Sequence, residues 1–336
     1  MNLANYLCQT LNASEAIKLG TLQRLWSGYG EIARYKLLHN GKPQRYIVKL
    51  ITPPKNALHP YQWNSDIGHQ RKLHSYQVER QWYQHWSKRC HKDTLIPVYY
   101  QSLDDTTSNQ TIIILSDLDQ AGFTKRYEKL DGIQALSVIK WLAIFHANFI
   151  KVNPTPQWPE GLWTTGTYWH LETRQEEYNA MPDSRLKRLA AHIDAKLTQC
   201  PFQTIVHGDA KVANFCFSEQ PAPTCPPKVA AVDFQYVGGG VGIKDLIYFL
   251  GSALSEHQLE NGYEFFINAY FSILCAELQT KFSTSEIVKI EQSWRELLPF
   301  AWADFQRFLV GWQPQHHKLN NFSQSMTQIA LDQDNL

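Results

Sequence analysis

The 336-residue chain has an ordinary globular composition, 43% apolar and 19% charged, and is long enough for two cores of usual size. Its formal net charge of +1 gives no chain-wide attraction to nucleic acid or to an anionic membrane. No run approaches the ~18 uninterrupted apolar residues of a membrane span. Six cysteines (Cys8, Cys90, Cys200, Cys216, Cys225, Cys275) are scattered without Cys-x-x-Cys or zinc-type spacing, and the first residues lack a basic segment followed by an apolar run. Free thiols in a reducing cytoplasm are therefore expected.

In chain order, residues 21–51 alternate in the manner of strands and are interrupted at Gly28-Tyr29-Gly30 and at His39-Asn40-Gly41-Lys42. Asn-Gly is the strongest short hairpin signal, so the stretch predicts an antiparallel meander. A helix is predicted near 70–88, then strands over 95–100 (LIPVYY) and 111–118 (TIIILSDL). From about 120 the pattern changes. Residues 133–150 are apolar nearly all round, the mark of a buried helix. Short strands are expected at TIVHGD, NFCF and KVAAVDFQ, with an exposed loop at 218–228, whose four prolines exclude helix. One last long helix is expected from the spacing of Trp294, Leu297, Leu298, Ala301, Phe305, Phe308 and Trp312. The result is an α+β chain with a small, mostly β unit over 1–118 and a larger, mainly helical unit over 119–336.

The densest polar constellation is His207-Gly208-Asp209-Ala210-Lys211-Val212-Ala213-Asn214, followed by Val232-Asp233-Phe234-Gln235. Phosphoryl transfer needs a carboxylate near the attacking hydroxyl, oxygen ligands for Mg²⁺ and cations on the phosphates. Asp209 offers the first, Asn214 and Asp233 the second, and Lys211 part of the third. The flanking apolar runs place these groups at strand ends. A metal-dependent hydrolase built on His207, Asp209 and Asp233 is the competing chemistry, but His316-His317 has no i,i+4 partner to supply further ligands.

The motif H-G-D-A-K-V-A-N with a later D-F-Q resembles the catalytic loop and metal-binding motif of the protein-kinase-like superfamily. Its small-molecule branch is the most similar: aminoglycoside phosphotransferases, choline and ethanolamine kinases, and ecdysteroid-kinase-like enzymes. Asn214 lies five residues after Asp209 and Asp233 a further 19 on, in register with the family pattern. The resemblance implies a bilobal protein-kinase-like fold, with an antiparallel-sheet-plus-helix N-lobe that binds nucleotide and a mainly helical C-lobe. It implies ATP and Mg²⁺ as cofactors, Asp209 and Lys211 as catalytic residues, and Asn214 and Asp233 as metal ligands.

The same resemblance assigns the phosphate-gripping lysine to Lys49, embedded in an apolar strand, and its partner to Glu79 on the following helix. Ser27, Gly28 and Gly30 stand in the glycine-rich loop position, with Ala33 where protein kinases carry a third glycine. Ser116, Asp117 and Leu118 stand where adenine is received through backbone groups. His146 reads as a core histidine. Asp245, which opens a helix 12 residues after Asp233, reads either as a brace for the catalytic loop or as a helix cap. That short interval leaves no room for a peptide-binding activation segment, so the expected acceptor is a small-molecule hydroxyl.

Three acceptor chemistries stay open. A choline-like cation would use an aromatic cage drawn from Trp163, Trp169, Trp294, Trp302 and Trp312. An aminoglycoside would use several carboxylates; the last long helix offers Glu296 and Asp304 on its less apolar side but also Arg307, so no clear acidic pocket emerges. A bulky apolar alcohol would suit the aromatic content generally. A catalytically inactive nucleotide-binding module is the alternative function, and it would be expected to lack one of Lys49, Asp209, Asn214 and Asp233.

Overall fold

A computed structural model describes residues 2–25, 28–53, 66–105 and 109–333. The chain forms two compact units, Met1–Arg89 with Ile96–Thr124, and Cys90–Leu95 with Lys125–Leu336. Among the described residues no helix is long and apolar enough to cross a membrane.

In the first unit, helix α1 (Leu3–Leu11) is capped by Asn2, whose side chain accepts from the Asn5 N–H at 3.3 Å, and ends at Asn12 in a left-handed conformation. Strands β1 (Glu15–Arg24), β2 (Gly30–His39) and β3 (Lys42–Ile51) form an antiparallel meander. Asn40 and Gly41 join β2 to β3, both at positive φ, as a two-residue hairpin requires. Helix α2 (Asp66–Gln81), β4 (Tyr99–Asp105) and β5 (Gln110–Ser116) complete a sheet of order β1-β2-β3-β5-β4. One sheet face (Ala33, Tyr35, Leu37, Tyr46, Val48, Ile112, Ile114) is covered by Leu7 of α1. The structure adds α1 and the first half of β1 to the predicted meander. Strand β1 is an exposed edge with no inside–outside alternation to read.

Two boundaries differ from expectation. The helix near 70–88 is α-helical only to Gln81. Trp82–Trp86 then widen into a π-turn and Ser87–Arg89 tighten into a 3₁₀ turn, which buries Trp82, Tyr83 and Trp86 together. The strand expected at 95–100 starts only at Tyr99. Pro97 has no N–H to give a ladder, and Leu95 makes a parallel bridge to Ala230 within the second unit.

In the second unit, helix α3 (Gly132–Phe149) opens on an Asp131–Gln134 capping box and is buried nearly all round. Strand β6 (Lys151–Val152), helices α4 (Gln175–Ala180), α5 (Arg185–Arg188) and α6 (Ala190–Thr198), and strand β7 (Phe202–Val206) follow. Strands β8 (Phe215–Phe217) and β9 (Val229–Ala231) pair as a hairpin around the proline-rich loop, and β10 (Gly238–Gly240) lies beside β7. The glycines of β10 are a strand that their composition conceals. A Cβ on Gly238 would fall 2.2 Å from the Trp163 carbonyl oxygen, so only bare backbone fits there.

Helices α7 (Ile243–Ala253), α8 (Glu256–Leu278), α9 (Thr284–Glu296), α10 (Leu298–Trp312) and α11 (Asn321–Gln333) build the rest. The last long helix of the sequence reading is two helices, α9 and α10, broken at Leu297. Pro299, in the first turn of α10, lacks the N–H that would continue the ladder and is pre-organised for a helix start. Helix α10 packs against α4, α6, α7 and α11, so its polar side is buried as well.

Candidate functional site

In the first unit, side-chain alternation along β3 sends Tyr46 and Val48 into the α1-facing core and Lys49 to the opposite face. There the Lys49 Nζ donates to Glu79 Oε2 of α2 at 2.6 Å, with Lys49 3% and Glu79 2% exposed. The ammonium also lies 5.5 Å from the Tyr76 ring centroid. Two buried charges of opposite sign satisfy each other, as burial requires.

The end of the glycine-rich stretch, Gly30, enters the sheet. Gly30 begins β2 at φ 126°, and a Cβ there would meet the Leu50 carbonyl oxygen at 2.0 Å, so its role is close strand approach. Gly28 turns left-handed, its N–H donating to the Leu25 carbonyl at 3.2 Å. Tyr29 between them is buried, its hydroxyl hydrogen-bonded to His69 of α2. Ser27 lies outside the described residues.

At the end of β5, the Ser116 hydroxyl accepts from the Val98 N–H at 2.9 Å. The Asp117 carboxylate is taken by Arg34 at 2.9 Å and Arg45 at 3.2 Å. The carbonyl of Leu118 accepts from Phe123 N–H at 2.9 Å. The Asp117 side chain is thus occupied by two arginines, which leaves main-chain groups as what this segment can offer a ligand.

In the second unit, β7 delivers His207-Gly208-Asp209. Gly208 has φ 80°, and a Cβ there would fall 2.0 Å from the Tyr236 carbonyl oxygen, so this turn admits only glycine. Asp245 of α7 braces the turn. Its Oδ2 accepts from the His207 N–H at 2.5 Å and its Oδ1 from the Gly208 N–H at 2.9 Å. The other edge of Oδ2 meets His146 Nε2 at 3.2 Å, and His146 Nδ1 meets the Tyr270 hydroxyl at 2.7 Å. His146 is therefore a satisfied core histidine, and of the two readings of Asp245 the geometry selects the brace. His207 Nε2 donates to the Val232 carbonyl at 2.9 Å and its Nδ1 accepts from the Asp209 N–H at 3.3 Å. With both ring nitrogens engaged, His207 has no lone pair left for a metal.

Around that turn the polar side chains converge on Asp209, which is 7% exposed. Its Oδ2 accepts from Lys211 Nζ at 2.9 Å and from Asn214 Nδ2 at 3.1 Å, and Asn214 Nδ2 also reaches the Asp209 carbonyl at 2.8 Å. The amide oxygen is then the atom Asn214 can offer a cation. Burial would lower the Lys211 pKa, but Asp209 and Asp233 outweigh it and raise it, so Lys211 is a firm cation held between two acids. Asp233 sits at φ 68°, a left-handed conformation that Asp tolerates better than most side chains, and its Oδ1 is hydrogen-bonded by the Gln235 amide. A carboxylate and an amide oxygen form a hard donor set that suits Mg²⁺.

Two residues at this site were not singled out in the sequence. Tyr248, three residues after Asp245 on α7, donates its hydroxyl to Asp209 Oδ1 at 3.2 Å. The i,i+3 spacing from Asp245 was the available signal. Lys318, in the loop between α10 and α11, holds its ammonium 4.5 Å from the Tyr248 ring centroid and 5.6 Å from that of Phe305. Nothing local in the sequence marks it.

The candidate acceptor residues divide. Trp169, Trp294 and Trp302 belong to the core, with indole N–H groups bonded to Asp304, the Phe202 carbonyl and the Tyr263 hydroxyl. Trp163 and Trp312 keep partial exposure. Glu296 ends α9 whereas Asp304 is fully buried in α10, so the two do not share a helix side.

Residues 164–281 match the ecdysteroid kinase-like family. That span contains Asp209, Lys211, Asn214, Asp233, Asp245 and Tyr248, and it stops short of Lys318. The resemblance to the small-molecule branch of the protein-kinase-like superfamily thus has a family match over the span that holds the His207–Asn214 turn and Asp233. No curated protein matches the chain. Among solved structures the chain is similar to a microcompartment-associated aminopropanol kinase (13% identity, 97% of this chain and 94% of that one, TM-score 0.47). It is also similar to an aminoglycoside phosphotransferase in complex with ADP and hygromycin B (12%, 94% and 100%, 0.43). A third is the ethanolamine kinase of Plasmodium vivax (10%, 96% and 82%, 0.43).

Proposed function

We propose that the chain is an ATP-dependent kinase of a small-molecule alcohol. The observation that carries this reading is the convergence of Lys211, Asn214 and Tyr248 on the Asp209 carboxylate, on a turn locked from behind by Asp245. Within the first unit, Lys49 held by Glu79 is the cation proposed to grip the nucleotide phosphates, and main-chain groups of Ser116–Leu118 are proposed to receive adenine. Within the second unit, Asn214 and Asp233 would hold Mg²⁺, which when bound neutralises charge on the transferred phosphoryl group.

The reaction follows from what each residue can do. The acceptor hydroxyl oxygen forms a bond to the γ-phosphorus while the bond from that phosphorus to the β–γ bridging oxygen breaks, and ADP leaves. The hydroxyl proton passes late to the Asp209 carboxylate, because the transition state is largely dissociative. Asp209 therefore serves first by orienting the nucleophile. Lys211 sits two residues on, a firm cation positioned to offset charge on the moving group.

The test is ADP release by the purified chain across a panel of cationic, neutral and anionic alcohols, with and without Mg²⁺. Thermal shift by ADP is measured alongside. Acceptor-dependent ADP formation is the expected result. Nucleotide binding without turnover for any acceptor would identify an inactive nucleotide-binding module, and no nucleotide binding at all would end both readings.

A further inference from the structure

Lys318 is a cation with unused donors beside the proposed catalytic carboxylate. Its backbone is fixed. The His316 N–H bonds the Gln313 carbonyl and the Leu319 N–H the His316 carbonyl, each at 2.9 Å. The Ser323 hydroxyl donates to the Lys318 carbonyl at 2.9 Å, and the Lys318 N–H meets His316 Nδ1 at 3.2 Å. The side chain is thereby laid across the Tyr248 and Phe305 rings, and Tyr248 in turn holds Asp209.

Among the described residues the Lys318 Nζ makes no hydrogen bond, so beyond its contacts with the Tyr248 and Phe305 rings its three N–H donors remain for a ligand. Burial brings its pKa down to about 8, with Asp209 raising and Lys211 lowering it, which leaves it mainly charged near neutral pH. His316 is pulled down to about 4 by burial and by His317 and Lys318, so it is neutral there. Among the described residues, Lys211, which Asp209 itself engages, and Lys318 are then two positive charges that act on Asp209.

A half-hidden ammonium of this kind repels a quaternary or primary ammonium and stabilises an oxyanion, because the surrounding rings keep water from screening it. We propose that Lys318 is an acceptor-recognition residue, and that the alcohol phosphorylated at Asp209 carries an anionic oxygen group, a carboxylate or a phosphate ester, which Lys318 binds. The inference rests on the kinase reading for the word acceptor, while the anion site itself stands on the geometry. It selects against the choline-like and aminoglycoside-like alternatives, whose charges have the wrong sign.

The test is calorimetric binding of matched probes to the full chain: hydroxy acids (mandelate, 12-hydroxydodecanoate), glycerol 3-phosphate, the neutral alcohols of the same frames, and choline. ADP affinity and ADP formation are measured in parallel. At least one anionic probe should bind roughly tenfold or more tighter than its neutral counterpart. Lys318→Met should abolish that preference, Lys318→Arg should retain most of it, and ADP affinity should stay as in the native chain. The carboxylate and phosphate arms identify which anion is preferred. Absence of any anion preference, a preference that survives Lys318→Met, or a loss confined to ADP affinity or melting temperature would each overturn the proposal. ADP formation with choline or neutral alcohols alone would overturn it while the kinase reading stood. Lys318-dependent anion binding without ADP formation would leave the site and remove the kinase.

Discussion

The second unit contains two buried carboxylates surrounded by cations, and they are used differently. Asp304 on α10 is fully buried and saturated. Its Oδ1 takes Arg307 Nε at 3.2 Å and Nη2 at 2.8 Å, and its Oδ2 takes Trp169 Nε1 at 3.0 Å and lies 3.1 Å from Lys244 Nζ. Asp209 has an equally specified environment, but its cations are not closed off. The Lys211 side chain keeps 40% exposure, and among the described residues the Lys318 ammonium has no hydrogen-bond partner. Charge burial by itself therefore does not mark chemistry. What separates the two sites is exposure: Asp304 is fully buried under three hydrogen bonds and the Lys244 ion pair, whereas beside Asp209 the Lys211 side chain is partly exposed and can meet a ligand.

That contrast is broken most severely at Asp209. Asp209→Asn keeps the size and most of the hydrogen-bond pattern but removes the proposed proton acceptor, so phosphoryl transfer should fall about 10²–10⁴-fold. Melting temperature and ADP affinity should hold. Wild-type turnover in a folded Asp209→Asn protein would sink the assignment, and a collapse of stability with activity would make Asp209 a second Asp304.

Asp304→Asn should do the converse. It leaves Lys244 and Arg307 buried without their counter-charge, a change that typically costs about 3–5 kcal/mol. Denaturant unfolding should report that loss. If the variant still folds, turnover per folded molecule should change little, and an unchanged unfolding midpoint would show that the cluster contributes no net stability.

The same cluster predicts a pH signature. Burial would raise the Asp304 pKa, but Lys244 and Arg307 hold it down to about 2, against an ordinary value of 3.8. A depressed carboxylate contributes stability that is complete above the unfolded pKa and is lost as pH falls through the folded one. The contribution, about 2 kcal/mol, should therefore disappear between roughly pH 4 and pH 2. Native-chain and Asp304→Asn unfolding curves should converge over that window, and parallel curves down to pH 2 would contradict it.

The proposed catalytic turn was legible because its residues are local in sequence. His207 to Asn214 lie on one turn, and Asp233 follows an apolar strand that must pair with NFCF. The Lys49–Glu79 pair was legible because each is the polar exception on an apolar element. Asp304 was not, since polar residues on a helix normally face water, and nothing in the local pattern says that α10 is enclosed on every side. Lys318 was hidden for another reason. A lysine in a Gln/His/Pro loop has no periodicity to betray it, and its position depends on how α11 fixes that loop. The aromatic content left core packing and an acceptor cage both open, because composition cannot distinguish rings that line a site from rings that support it.

The smallest expected effect is also the sharpest test of how Asp209 is held. Tyr248 is buried, and burial raises its pKa well above the ordinary phenol value, with Tyr168 and Asp209 adding to the rise. It is therefore a neutral donor at any working pH, and its hydroxyl orients Asp209 Oδ1 while Lys211 and Asn214 orient Oδ2. Tyr248→Phe preserves the ring that packs on Trp169 and Phe305 and removes one of three side-chain donors to the carboxylate. A hydrogen bond of this kind is worth about 1 kcal/mol net, which corresponds to roughly a fivefold fall in kcat. The acceptor KM should hold, because the ring under Lys318 is retained, and melting temperature should move by only a few degrees. An unaltered kcat would mean that Lys211 and Asn214 alone fix Asp209. A KM effect in place of the kcat effect would place Tyr248 with Lys318 in acceptor binding, so the split between the two constants decides whether the phenol serves the base or the substrate.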